Sequence, residues 1–514
     1  MHQPQPAVRY LAPLPVEIWT LCWSLCSLRQ QRRLSLVCTL FRSITLPFLF
    51  KHLSFDVGAD FFDFYRNREE GIRCLRHMHR IAVRLDKLTE APLAFAPFVQ
   101  SWTVALGYRG QSKIDNTGRA EDLHTRIFET FGKALTLCHH LSMIHLKRLR
   151  IDTMLLSMVL SLPKLQHLTL DTRELTIADT GGVLPKNSML RSLDLSHDFL
   201  LREGFADIDL PLLAHLTVRC VKEQEAFFQH VERFSQLESL TIDSIESSAF
   251  PVFKVNSLPN LRALSGPSNM ITALAPNRPI TRAFIDSGSL ESLSQTCVAL
   301  SRSVVPVYTL GLPYVDFRSR LLAGQSNLHR INSMQEFLTE ITTLLPDVTD
   351  LTLKLPNPHM GRRSGNGYGG SIDIDLRPLD VEDLPILCDD TAFNDLPEHE
   401  ISDDEGDSSN LGTKIIISVN KSLDTELKVE SWTHQSFLKQ ISPSSLPLPR
   451  NIEVVHLQAS WVDTPLPLAA QERALESLIT AYPTLREVQF ALPNSTWRQT
   501  GRSGSFWRVV SNDC

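Results

Sequence analysis

A short apolar pattern recurs along the middle of the chain, with apolar side chains at its first, fourth and sixth positions. Successive copies begin 24, 25, 23, 24 and 24 residues apart. The alternation within each copy predicts a strand with one buried face. Because one strand and one return segment cannot bury their own leucines, the pattern predicts units that stack side by side. The copies are Leu141/Ile144/Leu146, Leu165/Leu168/Leu170, Leu190/Leu193/Leu195, Leu213/Leu216/Val218, Leu237/Leu240/Ile242 and the weaker Leu261/Leu264.

The hexad and its period resemble those of leucine-rich repeats. An ordinary α/β protein can also carry leucine-rich strands at roughly this spacing, but five consecutive copies favour the repeat interpretation. The asparagine that usually follows the first leucine by eight residues in this family is absent. We therefore expect degenerate repeats without an asparagine ladder. The corresponding positions hold Leu149, Arg173, Asp198, Val221 and Ile245.

The repeat is less regular on either side of this central part. Met78, Ile81 and Val83 hint at an earlier copy, and the alternation from Leu53 to Val57 suits a first strand. Helical return segments are predicted at 226–234, 333–345 and 469–482, and the solenoid is expected to continue to about residue 492. Later copies are predicted at Ile280/Ala283/Ile285, Val348/Leu351/Leu353, Ile452/Val455/Leu457 and Leu485/Val488/Phe490.

Helical spacing marks the start of the chain, where Pro15 suits the first turn of a helix. Further helices are predicted from Arg29 to about Leu40 and around Pro47 to His52. Three short helices with this much apolar surface cannot cover it themselves, so they need a partner or the rest of the chain. The first helix carries two apolar stripes, Leu14/Ile18/Leu21/Leu25 and Trp19/Trp23/Cys26.

The motif Leu14-Pro-x-Glu-Ile, the later Leu34-Ser-Leu-Val-Cys and the following Phe41-Arg42 resemble an F-box over residues 12–53. This resemblance implies binding of the Skp adaptor of SCF-type cullin–RING ubiquitin ligases, with cullin bound through the adaptor. The rest of the chain would then select a substrate protein. Carried over position by position, the implied adaptor-binding residues are Leu14, Pro15, Ile18, Leu34, Val37, Cys38, Phe41 and Leu49.

Two positions depart from the F-box pattern. Gln30 stands where many members have Asp, and Gln31 where an aliphatic residue is usual. Two other interpretations of the N-terminal stretch therefore stay open. In the first, the stretch is a helical cap over the end of the repeats. In the second, the whole chain is a non-catalytic leucine-rich-repeat scaffold without ligase coupling.

The polar residues that flank the buried leucines are expected to line the exposed face of the sheet, because successive side chains of a strand point to opposite faces. We predict that this face binds the substrate protein. Each of these residues is also explained as the polar half of a half-buried strand. The candidates are His167, Thr169, Asp171, Asp194, His215, Arg219 and Asp243.

An acidic block interrupts the repeats. Residues 371–413 hold fourteen acidic residues against Arg377 alone, a net charge of −13, so the remainder of the −6 chain carries +7. Such a block cannot pack without neutralisation, and a disordered insertion over 361–412 is predicted. Ser402 lies in an acidic context that resembles a casein-kinase site, although acidic loops often contain such serines by accident.

The sequence offers little sign of chemistry. The nine cysteines contain no CxxC pair, His77/His79 and His139/His140 lack the spacing of a zinc site, and no nucleophile elbow or phosphate-binding loop is present. Gly365, Gly367 and Gly369 precede acidic sequence that would repel a phosphate. We expect no catalytic activity, metal or cofactor.

A pI near 6.3 argues against a nucleic-acid partner, and no uncharged apolar run is long enough for a membrane span. We expect a cytoplasmic or nuclear protein. The predicted fold class is α/β, a short N-terminal three-helix F-box followed by an irregular leucine-rich-repeat solenoid with a disordered acidic insertion. The expected segments are a flexible tail (1–11), the F-box (12–53), the solenoid (54–360), the insertion (361–412), the solenoid continuation (413–492) and a tail (493–514).

Overall fold

A computed structural model of the chain describes residues 15–56, 79–83, 85–86, 95–105, 119–147, 149, 151–172, 175–176, 189–205, 208–246, 250, 253–254, 257–313, 327–355, 447–459, 468–490, 496–500 and 506–510. These residues belong to one structural unit, made of residues 1–368 and 432–514. A second unit, residues 369–431, lies outside the described residues. Leu14, Ser402 and the predicted insertion over 361–412 also lie outside them.

A single sheet of fifteen strands organises the described residues. Strands that follow one another in this sheet are parallel neighbours up to β15, and β16 and β17 then add an antiparallel hairpin. A separate pair, β4 and β6, lies outside this sheet. The strands are β1 (His52–Asp56), β2 (Ser101–Ala105), β3 (Met143–Lys147), β4 (Ile151–Asp152), β5 (His167–Asp171), β6 (Leu175–Thr176), β7 (Ser192–His197), β8 (His215–Val221), β9 (Ser239–Ile245), β10 (Ala263–Pro267), β11 (Arg282–Ser287), β12 (Thr309–Leu312), β13 (Asp350–Leu355), β14 (Val454–Ala459), β15 (Glu487–Gln489), β16 (Thr496–Thr500) and β17 (Phe506–Val510).

The predicted hexads form the buried side of this sheet. Leu165, Leu168 and Leu170 are almost completely buried, and the strand register aligns them with the equivalent leucines of the next repeat. Parallel stacking of one strand per repeat therefore builds a leucine-rich-repeat-like solenoid with one continuous core. Helices occupy many of the return segments. Two of them, Gln224–Val231 and Leu468–Ala481, lie within three residues of the predicted bounds 226–234 and 469–482. The helices are α1 (Val16–Ser24), α2 (Leu28–Ser35), α3 (Thr39–Leu49), α4 (Arg119–Leu135), α5 (Thr153–Leu160), α6 (Gln224–Val231), α7 (Ser268–Leu274), α8 (Leu290–Ser301), α9 (Asn327–Leu344) and α10 (Leu468–Ala481).

Buried hydroxyl groups replace part of the missing asparagine ladder. The backbone N–H of Thr172 donates to Ser196 Oγ at 3.1 Å, and Thr172 Oγ1 donates to the backbone oxygen of Leu149. In the next repeat, the buried Asp198 accepts a hydrogen bond from the N–H of Glu223 at 2.8 Å. These side chains satisfy backbone groups between neighbouring repeats, which is the need that an asparagine ladder normally meets.

The early repeat suggested by Ile81 and Val83 is wrong, because residues 79–83 are helical. Ile81 and Leu85 are buried, and Thr130 of α4 donates a hydrogen bond to Asp86 at 3.0 Å. The strand that precedes β3 is instead β2, whose Val99, Trp102 and Val104 carry the same apolar spacing.

The N-terminal helices differ from the predicted bounds. Cys38 caps α3, since its sulfur accepts a hydrogen bond from the N–H of Phe41 at 3.4 Å, so α2 ends earlier and α3 begins earlier than expected. Pro47 lies inside α3 rather than at its start. Its missing N–H removes one hydrogen bond near the end of the helix.

The C-terminal segment covers the end of the repeats. β15 pairs with β16 through Val488 and Trp497, and the indole Nε1 of the buried Trp497 donates to Gln471 Oε1 at 3.0 Å. The predicted tail over 493–514 therefore contains a hairpin that extends the sheet. β13 and β14 pair directly although residues 356–453 connect them, so the long insertion does not interrupt the sheet.

Candidate protein-binding surfaces

The three N-terminal helices expose eight large aliphatic side chains. Their own core consists of Trp23, Phe41 and Ile44. The tryptophan stripe of α1 faces this core, so the leucine stripe is left outside, with Ile18 42% exposed and Leu25 84% exposed. We call this set the helical apolar surface; it consists of Val16, Ile18, Leu21, Leu25, Leu28, Leu36, Val37 and Leu40.

The predicted adaptor-binding residues separate into three groups. Pro15, Ile18, Val37 and Cys38 are exposed, whereas Leu34 and Leu49 are half-buried. Leu14 lies outside the described residues. Phe41 is only 8% exposed, because its ring packs edge-on against Trp23 with centroids 4.4 Å apart, so most of its surface belongs to the small helical core.

The two departures from the F-box pattern have structural roles inside the chain. Gln30 closes a capping box with Ser27, whose backbone N–H donates to Gln30 Oε1 at 2.8 Å. The buried Gln31 donates from Nε2 to the backbone oxygen of Trp23 at 2.9 Å and to that of Cys26 at 3.1 Å. Gln31 therefore satisfies carbonyl groups at the end of α1, a region that lacks partners within the helix.

Positive charge borders the helical apolar surface. The helices α1, α2 and α3 carry Arg29, Arg32, Arg33 and Arg42, and Glu17 is their one acidic residue. Arg29, Arg33 and Arg42 are exposed. The surface thus combines apolar area with a basic margin, which favours a partner that is apolar and acidic.

A second surface is the side of the sheet opposite to the buried hexads, which we call the open face. The register places Thr169, Asp194, Thr217 and Thr241 in one row across β5, β7, β8 and β9. His167 and His215 lie in the neighbouring row, separated by Ser192 of β7. The structure therefore brings the predicted substrate-binding residues together on one face.

One of those residues is not available on the open face. Thr169 is only 9% exposed, and its hydroxyl is hydrogen-bonded to His145 Nδ1 at 2.9 Å. Thr169 was wrongly predicted as an exposed contact, whereas His215, Arg219 and Asp243 are exposed and His167, Asp171 and Asp194 are half-buried.

Charges on the open face are closely coupled. Arg219 Nη1 lies 3.3 Å from Asp171 Oδ2, across the intervening strand that carries Asp194. Burial raises the pKa of Asp194, Asp171 raises it further, and Arg219 opposes the shift. Partial burial also raises the pKa of Asp243, with added repulsion from Asp286 and Asp194. One guanidinium is therefore shared among three carboxylates.

Two histidines of the open face, His145 and His167, have a lowered pKa. Burial lowers the pKa of His145, and Lys147 and His167 lower it further. The pKa of His167 is lowered by burial and then by His215 and Arg191. Since ordinary histidine already titrates below neutrality, His145 and His167 are neutral at pH 7 and act as hydrogen-bonding groups.

An exposed aromatic side chain that was not predicted from the sequence lies farther along the open face. Phe284 of β11 is 38% exposed, and it lies beside Gly311 of β12 in the register. Lys354 of β13 pairs with Asp286 of β11 at 3.2 Å, so an ion pair borders the aromatic ring. Ala283 and Ile285, on either side of Phe284 in the sequence, are buried. This alternation is the signal that places Phe284 on the open face.

A cavity of about 390 Å³ lies at the carboxyl ends of β9, β10 and β11, where α8 begins. Ser268 Oγ donates to Ser292 Oγ at 3.0 Å in its wall. The lining contains one charged group, the carboxylate of Asp243. The lining residues are Asp243, Ser244, Ile245, Pro267, Ser268, Asn269, Ser287, Gly288 and Ser292.

Two other kinds of site were sought in the described part of the chain. No group of three or more His, Cys, Asp or Glu side chains there is arranged to hold a metal ion. Across the same residues, every helix is too short or too polar to span a membrane.

Comparison with known proteins identifies no family. No family model matches the chain, and no curated protein matches it. A crystal structure of an internalin from Listeria monocytogenes matches at 12% sequence identity and a TM-score of 0.18, over 51% of this chain and 77% of the internalin chain. At this TM-score the match has no bearing on function, and the leucine-rich-repeat-like assignment rests on the buried hexads and the register of the sheet.

Proposed function

We propose that the protein is the substrate-recognition subunit of an SCF-type cullin–RING ubiquitin ligase. In this proposal, the N-terminal helices bind the Skp adaptor and, through it, the cullin, while the repeats bind a target protein. The observation that carries the proposal is the helical apolar surface. Eight large aliphatic side chains are exposed on a unit whose core has three buried apolar residues.

Exposed apolar area on this scale indicates a surface that another protein covers. The exposed side chains Leu36 and Val37 belong to the F-box-like motif and lie in the turn after α2, where they project away from the small core. The arginines nearby add the charge that an acidic adaptor would complement. The polar residues Gln30 and Gln31 do not weaken the proposal, because both are engaged within the helical unit.

The repeats supply the second part of the proposed function. Their open face presents charged and hydroxyl-bearing side chains on a rigid parallel sheet, which is a suitable surface for a protein target. The chain would perform no bond chemistry itself; holding the target near the ubiquitin-conjugating enzyme raises the effective concentration of the reacting groups. Such a receptor would work in the cytoplasm or the nucleus, without nucleic acid, membrane, metal or cofactor.

A binding experiment tests the proposal without knowledge of the target. The purified full chain is titrated with recombinant Skp adaptor, alongside a variant in which Leu36→Asp and Val37→Asp place two charges on the helical apolar surface. We expect the variant to bind at least about tenfold more weakly, because two carboxylates would have to be buried in the interface.

Met154→Asp is the matched control, since Met154 of α5 is exposed but belongs to the repeats. Its adaptor affinity should equal that of the wild type, and circular dichroism should confirm that all three proteins fold. If the wild-type chain does not bind the adaptor, the ligase proposal is wrong, and a leucine-rich-repeat scaffold without ligase coupling is the interpretation to pursue.

A further inference from the structure

The row of open-face positions that includes Thr169 contains one large apolar side chain among its described members, Phe284. The other members are polar or glycine, so Phe284 is set apart from its surroundings. In strand order the row is Ser54, Thr103, His145, Thr169, Asp194, Thr217, Thr241, Ser265, Phe284, Gly311, Thr352, His456 and Gln489.

Gly311 allows the Phe284 ring to lie flat over the neighbouring strand. A Cβ atom at Gly311 would come within 2.4 Å of Phe284 Cδ1, so any side chain there would displace the ring. The ring covers the β12 backbone on one side while 38% of the residue stays open to solvent. An exposed aromatic ring that is held in place by its support is the kind of anchor that dominates protein interfaces.

Charge is distributed unevenly around Phe284. Arg282 lies two residues before it and is exposed, whereas Asp243 and Asp286 lie toward the carboxyl ends of the strands. Asp286 is paired with Lys354, and Arg219 is paired with Asp171. Within the described residues, Asp243 has no ion-pair partner within 4 Å, and the Arg219 guanidinium that partly offsets its charge is paired with Asp171, so the carboxyl side of the anchor keeps an excess of negative charge.

The negative charge of Asp243 lies in the wall of the cavity at the carboxyl ends of β9 to β11. Asp243 lies in its lining among hydroxyl and amide groups, and none of the described lining residues is basic. The end of α8 that reaches the cavity is capped by its own Ser289, which accepts a hydrogen bond from the N–H of Ser292 at 3.2 Å. An ammonium or guanidinium group would find a carboxylate and several hydroxyl acceptors in this cavity.

We propose that Phe284, Asp243 and this cavity bind an extended segment of the target protein that carries an apolar side chain and a nearby lysine or arginine. The apolar side chain would pack on the Phe284 ring, and the basic side chain would enter the cavity at Asp243. The inference rests on the proposed function in one respect, that the repeats bind the target. It assigns the contact to β9–β12, beyond most of the residues predicted from the sequence.

The strand geometry sets the spacing of the two side chains. Asp243 lies two strands away from Phe284 and two residues beyond Thr241, the β9 residue that is aligned with Phe284. The two residues are therefore about 12 Å apart. An extended segment covers that distance in roughly three or four residues. The segment therefore needs its apolar and basic residues three or four positions apart.

Two pools of fluorescein-labelled peptides test the inference by fluorescence polarisation with the purified full chain. Both pools fix a leucine and randomise uncharged residues elsewhere; one fixes arginine three or four positions from the leucine, and the other fixes glutamate there. We expect the arginine pool to bind more tightly. Phe284→Ala should weaken its binding about tenfold and Asp243→Asn about fivefold, while thermal melts show that both variants fold.

Met154→Ala and Asp209→Asn are matched controls, because both residues are exposed and lie away from the cavity and the anchor. They should leave peptide binding unchanged. Equal or tighter binding of the glutamate pool, no binding of either pool, or unchanged binding by the Phe284 and Asp243 variants would each overturn the inference. Adaptor affinity is measured on the same wild-type preparation: a wild-type chain that binds the peptides but not the adaptor contradicts the ligase proposal alone, and one that binds the adaptor but neither peptide pool contradicts this inference alone.

Discussion

Gln31 Nε2 donates a hydrogen bond to the backbone oxygen of Trp23 at 2.9 Å, so the second N-terminal helix closes the end of the first. This contact explains why a polar residue occupies a position where F-box proteins usually have an aliphatic one. Gln31 is buried, and an aliphatic side chain there would leave the carbonyl groups of Trp23 and Cys26 without these donors.

We predict that Gln31→Leu destabilises the N-terminal helices by about 2 kcal/mol, because the carbonyl groups of Trp23 and Cys26 both lose the Gln31 donor and Trp23 keeps only the N–H of Cys26. Hydrogen exchange of the α1 amides should accelerate accordingly. The matched control is Gln30→Ala, which removes an exposed capping contact and should cost about 1 kcal/mol. Equal exchange rates in the wild type and Gln31→Leu would contradict the assigned role.

Arg278 should be a stability determinant of the repeats. It is only 3% exposed, and its guanidinium donates to the backbone oxygens of Leu274 at 2.6 Å and Ser257 at 3.0 Å. The guanidinium carbon of Arg278 also lies 5.6 Å from the centre of the Phe253 ring. We predict that Arg278→Ala lowers the free energy of unfolding by about 3 kcal/mol, measured by urea denaturation.

Arg278→Lys should rescue little of that loss, because an ammonium cannot reproduce the planar set of donors. Arg282→Lys is the control, since Arg282 is exposed and should tolerate the change. A urea midpoint for Arg278→Lys close to that of the wild type would show that charge alone suffices.

Gly311 and Phe284 should be energetically coupled. We predict that Gly311→Ala costs about 1–3 kcal/mol, because its Cβ would displace the Phe284 ring. In the double variant Gly311→Ala and Phe284→Ala the clash is absent, so the second substitution should recover most of the loss. A double-mutant cycle of urea denaturation measures this coupling, and strict additivity would contradict it.

Asp194 should make stability depend on pH. Burial raises the pKa of Asp194 in the folded chain, so its charged form is disfavoured by folding. The resulting loss in the free energy of unfolding is fully present above the raised pKa. It disappears as the pH falls below about 4, the ordinary pKa of aspartate in the unfolded chain. We therefore predict that Asp194→Asn stabilises the protein at pH 7, and that the gain in stability shrinks as the pH is lowered from the raised pKa of Asp194 to about 4.

Urea denaturation of the wild type and Asp194→Asn across this interval measures the effect. The control is Asp209→Asn, which changes an exposed carboxylate. A gain for Asp194→Asn that stays constant at every pH would mean that the side chain acts through packing rather than through its ionisation.

Much of the repeat architecture could be predicted because the buried leucines have a regular period. Even the irregular hexad at Val348, Leu351 and Leu353 forms the expected strand. β2 and β12 were missed because Val99, Trp102 and Val104, and likewise Val307, Leu310 and Leu312, lie at other intervals. Period alone therefore identifies the regular repeats, whereas those at other intervals have to be recognised from the apolar spacing itself.

Side-chain roles were harder to predict than strands. Phe41 shares a motif with exposed residues, yet the tertiary fold places it against Trp23. Thr169 alternates like its neighbours but is buried, with its hydroxyl hydrogen-bonded to His145 on the neighbouring strand. Phe284 was missed because an apolar side chain was not expected on the open face, although the buried Ala283 and Ile285 on either side of it place it there.

Hydrogen exchange of the full chain with and without purified Skp adaptor tests the central claim most directly. The account predicts slower exchange in α1 and in the turn around Leu36 and Val37, and unchanged exchange in β5–β9 of the open face. No protection of the N-terminal helices at saturating adaptor, or protection confined to the repeats, would contradict it.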